Sequence, residues 1–172
     1  MLWLDLTRAD TEPLTFSEHP ALSPQSGGEV VVSVDGAGFA GRVERAGRGY
    51  MVEGALQGRA TLRCGRCLKE FEFPFTERMR LHLLPAAALS QEDETRLQRD
   101  DLEVRFYEEP RVDLSELAAE QFALAVPMKP LCTENCRGIC PHCGADLNVG
   151  TCSCPPKHDD RFAPLLDWRP NE

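Results

Sequence analysis

The stretch Cys64-Gly-Arg-Cys-Leu-Lys-Glu-Phe-Glu-Phe-Pro-Phe75 joins two patterns from which the rest of the chain can be interpreted. Its first half holds two cysteines separated by two residues, a spacing that lets one backbone turn present both sulfurs to one metal ion. Its second half has phenylalanine at every other position, the period of a strand with one apolar face. Because Pro74 interrupts this run, we expect an edge strand or a bulge. The pattern predicts a strand over residues 70–84 whose phenylalanines face the core.

Shorter apolar and β-branched runs, separated by glycine, precede this strand. They predict strands over residues 2–7, 30–34, 39–44, 50–56 and 59–63. A loop rich in proline, serine and glycine is expected between the first two strands. The segment Gly36-Ala-Gly-Phe-Ala-Gly41 has the glycine spacing of a dinucleotide-binding loop, but the helix that phosphate binding requires does not follow it. We therefore interpret these glycines as a hairpin turn.

One helix is predicted over residues 113–125. Asp113 is a suitable N-cap, Glu116 completes a capping-box pattern, and Pro127 ends the helix. Residues 89–101 are polar and acidic, as in an exposed connection. We expect an α+β fold, mainly antiparallel β-sheet or a partly open barrel with one packed helix and a C-terminal zinc knuckle. Residues 1–128 would form the β-rich domain, and residues 129–172 a cysteine-rich zinc-binding tail packed on it. No repeat is apparent in the sequence.

The charge distribution limits which partners the chain can have. The net charge of −9 argues against a protein that coats nucleic acid by bulk positive charge. Residues 41–80 are the exception, with nine Lys and Arg against five acids. The amino terminus is acidic where a secretion signal is basic, and no run approaches the roughly 18 apolar residues of a membrane span. The sequence therefore predicts a cytoplasmic protein without a membrane segment, whose thiols stay reduced.

Eight cysteines with specific spacing are the strongest chemical signal. Cys140, Cys143, Cys152 and Cys154 have the spacing of a four-thiolate zinc knuckle, in which His158 is the alternative fourth ligand. Subtraction leaves a second set of four, Cys64, Cys67, Cys132 and Cys136. A zinc ion shared by this second set would join the sheet to the segment after the helix. Spacing alone leaves open a crossed arrangement, in which Cys64 and Cys67 combine with Cys140 and Cys143. We expect one or two structural zinc ions.

Other chemistry finds little support in the sequence. The pair Cys64 and Cys67 lies between strands, whereas a thioredoxin-type redox pair lies between a strand and a helix. A zinc ion held by four protein ligands has no open position for catalysis. No zinc-protease, P-loop or nucleophile-elbow motif is present. The sequence therefore predicts no enzyme, no catalytic residues and no small-molecule substrate.

Basic residues flank the first cysteine pair and are candidates for RNA binding. They are Arg59, Arg63, Arg66 and Lys69. In the net-positive segment they could form a local, salt-sensitive site for phosphates. The alternative is that they are ordinary surface residues.

Four ordered stretches carry a resemblance to a known family. The first is Cys64-Gly-Arg-Cys-Leu-Lys-Glu-Phe71, and the second is the helix from Asp113-Leu114 to Glu120-Gln121 with Pro127 and Pro130-Leu-Cys132 in the loop after it. The third is Gly138-Ile-Cys-Pro-His-Cys-Gly-Ala-Asp-Leu-Asn148 with Cys152-Ser-Cys154, and the fourth is Asp160-Arg-Phe-Ala-Pro-Leu165. In this order and spacing they resemble the YceD-like family, the large ribosomal RNA subunit accumulation proteins of bacteria and plastids. The resemblance implies a non-enzymatic role in accumulation or processing of 23S ribosomal RNA and in assembly of the large ribosomal subunit.

Two kinds of partner are compatible with that role. The first is precursor ribosomal RNA or a pre-ribosomal large subunit, contacted through residues 42–69 of the basic segment. The second is a ribosomal protein or nuclease, recruited by a zinc-stabilised adaptor that does not touch RNA. Such an adaptor would use the acidic residues 92–120 or the apolar tail that contains Phe162, Leu165, Leu166 and Trp168.

Overall fold

The computed structural model describes residues 1–88, 104–155 and 161. Within these ranges the strands are β1 (Trp3–Asp5), β2 (Leu14–Glu18), β3 (Val31–Ala46), β4 (Gly49–Arg63), β5 (Glu70–Pro85), β6 (Val104–Tyr107) and β7 (Arg111–Asp113). The helix is α1 (Leu114–Ala125). The predicted acidic connection at 89–101, His158 and the apolar tail residues Phe162, Leu165, Leu166 and Trp168 lie outside the described residues.

The strands form two open sheets. The larger sheet has the order β2-β3-β4-β5-β6, and β1 pairs with β7 in the smaller one. All neighbours are antiparallel except β5 and β6, which pair in parallel. The prediction of a mostly β fold with one helix is confirmed. The barrel alternative is wrong, because β2 and β6 lie at opposite ends of the described sheet and do not pair.

The glycine-rich segment at 36–41 lies inside β3, so the predicted hairpin turn there is wrong. Between Asp35 and Gly38 the register against β4 gains one residue, and Gly36 has φ of 63°. A bulge of this kind absorbs the extra residue and lets the strand continue. The chain reverses instead at Gly47-Arg48, a two-residue turn in which Gly47 has φ of 57°.

Strand β2 occupies part of the region that the sequence assigns to a loop. Its central residue, Phe16, is buried and packs edge-on against Phe39, with ring centroids 5.1 Å apart. Phe16 is the register partner of Gly41, and a Cβ at Gly41 would lie 2.8 Å from the Phe16 ring. A Cβ there would come even closer to the carbonyl oxygen of Glu53, so the third glycine of the segment makes room for both the β4 backbone and an aromatic ring of β2.

The inner face of the larger sheet packs against α1. Phe75 of β5 is buried, and its ring centroid lies 5.1 Å from that of Phe122 on the helix. Phe71 and Phe73 are partly buried and pack against the same core, so the predicted inward face of β5 is confirmed. Pro74 lies on the opposite face. Pro74 pairs with Arg59 of β4 on one side, but β6 pairs with β5 only from His82 onward. No described strand therefore pairs with the other edge of β5 at Pro74, as an edge proline requires.

The helix begins where the sequence predicts, at the cap Asp113. Its Oδ1 accepts the backbone N–H of Ser115 at 2.8 Å and that of Leu2 at 3.1 Å. The capping box does not form, because Glu116 pairs with Arg105 at 2.7 Å. In the described part of the chain, no helix has the length and apolarity needed to cross a membrane.

Candidate metal centres

The structure brings the eight cysteines together in two groups of four. The first centre is Cys64, Cys67, Cys132 and Cys136, and the second centre is Cys140, Cys143, Cys152 and Cys154. Within each group the sulfur atoms all lie within 4.8 Å of one another. Four sulfurs bound tetrahedrally to zinc at about 2.3 Å would be about 3.8 Å apart, so both groups match the size of a zinc site. This is the grouping that subtraction suggests, and the crossed arrangement does not form.

The first centre is built on a tight turn directly after β4. The carbonyl of Cys64 accepts the N–H of Leu68 at 3.0 Å, and the N–H of Cys64 donates to the carbonyl of Lys69 at 2.9 Å. Inside this turn the N–H of Arg66 points at the Cys64 sulfur, 3.5 Å away. The turn thus places Cys64 and Cys67 on one side while donating a hydrogen bond to a ligand sulfur.

The second centre repeats that turn. The carbonyl of Cys140 accepts the N–H of Gly144 at 2.9 Å, and the N–H of Cys140 donates to the carbonyl of Ala145 at 2.8 Å. The backbone N–H of His142 points at the Cys140 sulfur, 3.4 Å away. The imidazole of His142 is exposed and does not belong to the group of candidate ligands. The two centres therefore share one local structure, a repeat that the sequence shows only as two Cys-x-x-Cys spacings.

The two centres differ in burial and in what they connect. Cys64, Cys67 and Cys136 are buried, and the sulfurs of Cys64 and Cys136, 72 residues apart in sequence, are 3.8 Å apart. The first centre therefore joins the end of β4 to the segment that follows α1. In the second centre Cys143 is exposed, and all four cysteines come from residues 140–154. The second centre therefore joins no segments that are distant in the sequence.

The thiols of the first centre have opposed pKa shifts. Burial raises the pKa of the Cys64 thiol, but surrounding backbone N–H groups outweigh burial and lower this pKa to about 6. The backbone N–H of Lys69 lowers the pKa of Cys67, but burial and the neighbouring thiols raise it to about 12. One thiol therefore ionises readily, and its negative charge opposes ionisation of the others.

The thiols of the second centre also have opposed pKa shifts. The backbone N–H groups of Cys143 and His142 lower the pKa of Cys140 to about 6. The side chain of Cys143, burial and the side chain of Cys140 raise the pKa of Cys154 to about 12. A divalent cation among the four sulfurs would allow all of them to ionise. An all-sulfur tetrahedral set fits zinc, and it leaves no open ligand position of the kind that a catalytic zinc keeps.

Comparison with known families agrees with the motifs around these centres. A family model described as large ribosomal RNA subunit accumulation protein YceD matches residues 52–168. The chain belongs to this family. The matched region contains both cysteine groups, and the resemblance inferred from the sequence motifs is confirmed.

The individual proteins that match this YceD-family chain have low sequence identity to it. It is 27% identical over 171 residues to uncharacterized proteins of Mycobacterium tuberculosis and Mycobacterium bovis, covering 95% of this chain and 79% of each relative. It is also 33% identical over 55 residues to a maize protein named large ribosomal RNA subunit accumulation protein YCED homolog 1, chloroplastic. That match covers 31% of this chain and 19% of the maize protein. No solved structure matches the chain.

The four candidate RNA-binding residues of the YceD-family chain fall into two pairs. Arg59 and Arg63 lie on the exposed face of β4 and form cross-strand ion pairs, with Glu72 at 3.2 Å and Glu70 at 3.7 Å. The other two contact the cysteine loops. Arg66 donates to the carbonyl of Cys136 at 2.7 Å, and the Lys69 ammonium pairs with Asp146.

Two polar residues beside the centres, Asp146 and Asn148, do not emerge as site residues from the sequence. The Lys69 ammonium, followed by hydrogen bonds from Asn148, lowers the pKa of Asp146 to about 2. The side-chain amide of Asn148 points at the sulfur of Cys136, 3.5 Å away. The sequence signal for both lies in the motif Gly-Ala-Asp-Leu-Asn after Cys143, whose role is visible only when the two centres are seen side by side.

Proposed function

We propose that this chain is a non-enzymatic, cytoplasmic zinc-binding factor that supports accumulation of 23S ribosomal RNA and assembly of the large ribosomal subunit. Family membership supports the ribosomal role, since the matching model carries that description. The observation that carries the zinc assignment is the pair of four-sulfur groups inside the matched region. Both centres offer four protein ligands, so the proposed zinc is structural.

Zinc in the first centre would stabilise the fold more broadly than zinc in the second. Apart from zinc, the contacts between the turn after β4 and the C-terminal segment include the hydrogen bond from Gly65 to the carbonyl of Pro130, 2.8 Å, and the bond from Arg66 to Cys136. Structural zinc in small peptides contributes about 10–16 kcal/mol to the folded state. The first centre would therefore fix how residues 130–155 lie against the sheet.

Precursor ribosomal RNA or an assembly intermediate is the proposed partner, and the structure favours Arg59 and Arg63 as the contact residues. Their side chains are 71% and 51% exposed, and their glutamate partners are also exposed. Exposed ion pairs are worth about 0–1 kcal/mol, so a phosphate can replace the glutamate at little cost. Arg66 and Lys69 already bind the cysteine loops, so for them we propose a role in the metal centre.

Salt-dependent binding to fragments of precursor 23S RNA tests this contact. The variant Arg59→Glu/Arg63→Glu should bind more weakly, and the slope of log K against log salt should fall by about 0.7 for each lost phosphate contact. Arg8→Glu is the control for the single variants Arg59→Glu and Arg63→Glu, because it makes the same charge change at an exposed arginine outside the basic segment. An equal loss in the control and the β4 variants would show that only net charge matters, and would remove Arg59 and Arg63 from the interface.

The alternative function is a zinc-stabilised adaptor that binds a ribosomal protein or nuclease without touching RNA. The net charge of −9 favours it, because an acidic protein is repelled by RNA phosphates. It is also favoured because each of the four candidate RNA-binding residues already has a carbonyl or carboxylate partner within the chain. An adaptor should stay associated with pre-ribosomal particles after Arg59→Glu/Arg63→Glu. It should dissociate when the chain is truncated after residue 161, if the apolar tail is its contact. An RNA-binding factor should show the reverse.

A further inference from the structure

Asn148 belongs by sequence to the second centre and by contact to the first. It lies between Cys143 and Cys152, inside the loop that the second set of ligands closes. Its side-chain N–H nevertheless points at Sγ of Cys136 at 3.5 Å, and its Oδ1 accepts the backbone N–H of Arg137 at 2.7 Å. One side chain therefore connects the loop of the second centre to a ligand of the first.

The side chain is held in place by Asp146. Oδ1 of Asp146 accepts both the backbone N–H of Asn148 at 2.9 Å and its side-chain N–H at 2.8 Å. The other carboxylate oxygen pairs with the Lys69 ammonium, and the carbonyl of Lys69 accepts the N–H of Cys64. A continuous chain of polar contacts thus runs from the second loop to two ligands of the first centre, Cys136 and Cys64.

The backbones of the two centres also lie directly against each other. The N–H of Leu147 donates to the carbonyl of Gly138 at 2.9 Å, and Ile139 and Asp146 form an antiparallel bridge. Gly138 has φ of 77°, and a Cβ there would lie 3.0 Å from the carbonyl oxygen of Arg66. The loop that a metal ion in the second centre would fix therefore lies against the turn of the first centre.

The electrostatics of four thiolates explain why such contacts matter. Zinc with four thiolates carries a net charge of −2, which N–H donors and nearby cations stabilise. Groups that hydrogen bond to metal ligands fix their orientation, and their loss typically weakens metal binding by about 10–100-fold. Asn148 supplies such a donor to Cys136, and Lys69 supplies a cation near the same group.

We propose that Asn148 is a positioning residue for the first centre, and that through it metal binding at the second centre strengthens metal binding at the first. The inference rests on the proposed zinc binding and adds a coupling between the two ions. Because coupling between binding sites is reciprocal, filling the first centre must strengthen the second by the same factor.

Cadmium-113 NMR of the cadmium-loaded full chain can test the two centres separately. Cys64→Ser and Cys143→Ser assign one resonance to each centre. In Asn148→Ala the first-centre resonance should shift, and EDTA should remove that ion at about 10–100-fold lower concentration than in the unmodified chain. Asn135→Ala is the matched control, because Asn135 is exposed, lies between two candidate ligands of the first centre, and makes no side-chain hydrogen bond with the described residues. It should leave both resonances unchanged.

The coupling itself is measured by adding Cys143→Ser. This substitution should weaken the first centre in the unmodified background and have a smaller effect in the Asn148→Ala background. If Asn148→Ala unfolds the chain, stepwise removal of cadmium from the unmodified protein still tests the coupling between the two centres. The first-centre ion should then be lost faster once the more exposed second centre is empty.

The outcomes separate this inference from the zinc proposal. If neither centre binds metal in the unmodified chain, both proposals fail. If both centres bind, and the first retains its resonance and affinity in Asn148→Ala, the zinc proposal stands and the coupling is refuted. If Asn148→Ala changes only the resonance or affinity of the second-centre ion, the coupling is also refuted, since Asn148 would then act only within its own loop.

Discussion

Leu68 and Gly144 occupy the same position in two copies of one turn, each directly after the second cysteine of its pair. Both have a left-handed backbone, with φ of 61° for Leu68 and 73° for Gly144. Glycine adopts this conformation freely, whereas an L-residue with a Cβ is less stable there by roughly 1–2 kcal/mol. The Leu68 side chain is 57% exposed, so its burial offsets only part of that cost. The backbone of the first turn is therefore strained at Leu68, whereas the backbone of the second turn is unstrained at Gly144.

Gly144→Ala should destabilise the zinc-loaded chain by about 1–2 kcal/mol, measured by urea unfolding. A Cβ at Gly144 would meet no atom within 4 Å, so the cost would come from the backbone alone. Leu68→Gly should change stability less, because the relieved strain and the greater flexibility of the unfolded chain nearly cancel. Gly150→Ala is the control, since Gly150 is equally uncrowded and lacks a left-handed φ. Equal effects at Gly144 and Gly150 would contradict the assignment of strain.

Elemental analysis of the purified chain should find two zinc ions per molecule. Cys64→Ser and Cys143→Ser should each reduce the count to one, because each removes a ligand from a different centre. Cys64→Ser should also lower the unfolding midpoint more, since the first centre joins segments 72 residues apart and the second is local. A single ion in the unmodified chain, or an unchanged count of two in Cys143→Ser, would contradict two separately filled centres.

The sequence predicts those features whose signal is local. The cap at Asp113, the alternating phenylalanines before Phe75 and the grouping of eight cysteines by subtraction all depend on spacing within one segment or on a simple count. Gly36 shows the limit of this approach. A positive φ suits both a hairpin turn and a bulge, and only the pairing of β3 with β4 distinguishes them.

Long-range contacts explain the other differences between sequence and structure. Arg66 and Lys69 look like basic surface in the sequence, yet their partners are Cys136 and Asp146, which lie 70 and 77 residues further along the chain. Asn148 looks like a loop residue until Cys136 is placed beside it. Such pairs come together only when the first centre brings the C-terminal segment to the sheet. No local pattern could predict them.

Asp113→Ala should destabilise the chain by about 1 kcal/mol at neutral pH, because the helix loses its N-cap and Leu2 loses an acceptor. Burial raises the pKa of Asp113, but the N–H donors of Ser115 and Leu2 outweigh it, so this pKa lies below its ordinary value. Stability from a carboxylate with a lowered pKa is present above the ordinary pKa and is lost as pH falls through the folded-state value.

Urea unfolding of Asp113→Ala at pH 7 and at successively lower pH tests the direction of this pH dependence of stability. The difference from the unmodified chain should be largest at pH 7 and should shrink in acid. Glu108→Ala is the control, an exposed acid without an ion pair among the described residues. A difference that grows in acid would contradict the cap's role as a charged acceptor.

Arg66→Ala should weaken the first centre and leave RNA binding nearly unchanged. The guanidinium of Arg66 holds the carbonyl of Cys136 at 2.7 Å, and hydrogen bonds from charged groups contribute about 1.5–3 kcal/mol. Arg137→Ala is the matched control, because Arg137 is an exposed neighbour of Cys136 whose side chain makes no hydrogen bond or ion pair with the part of the chain that the structure describes. Chelator titration should show earlier zinc loss in Arg66→Ala alone, whereas Arg63→Ala should change the salt slope of RNA binding and retain its zinc. If Arg66→Ala lowered the salt slope as much as Arg63→Ala while keeping both ions, Arg66 would belong to the RNA interface instead.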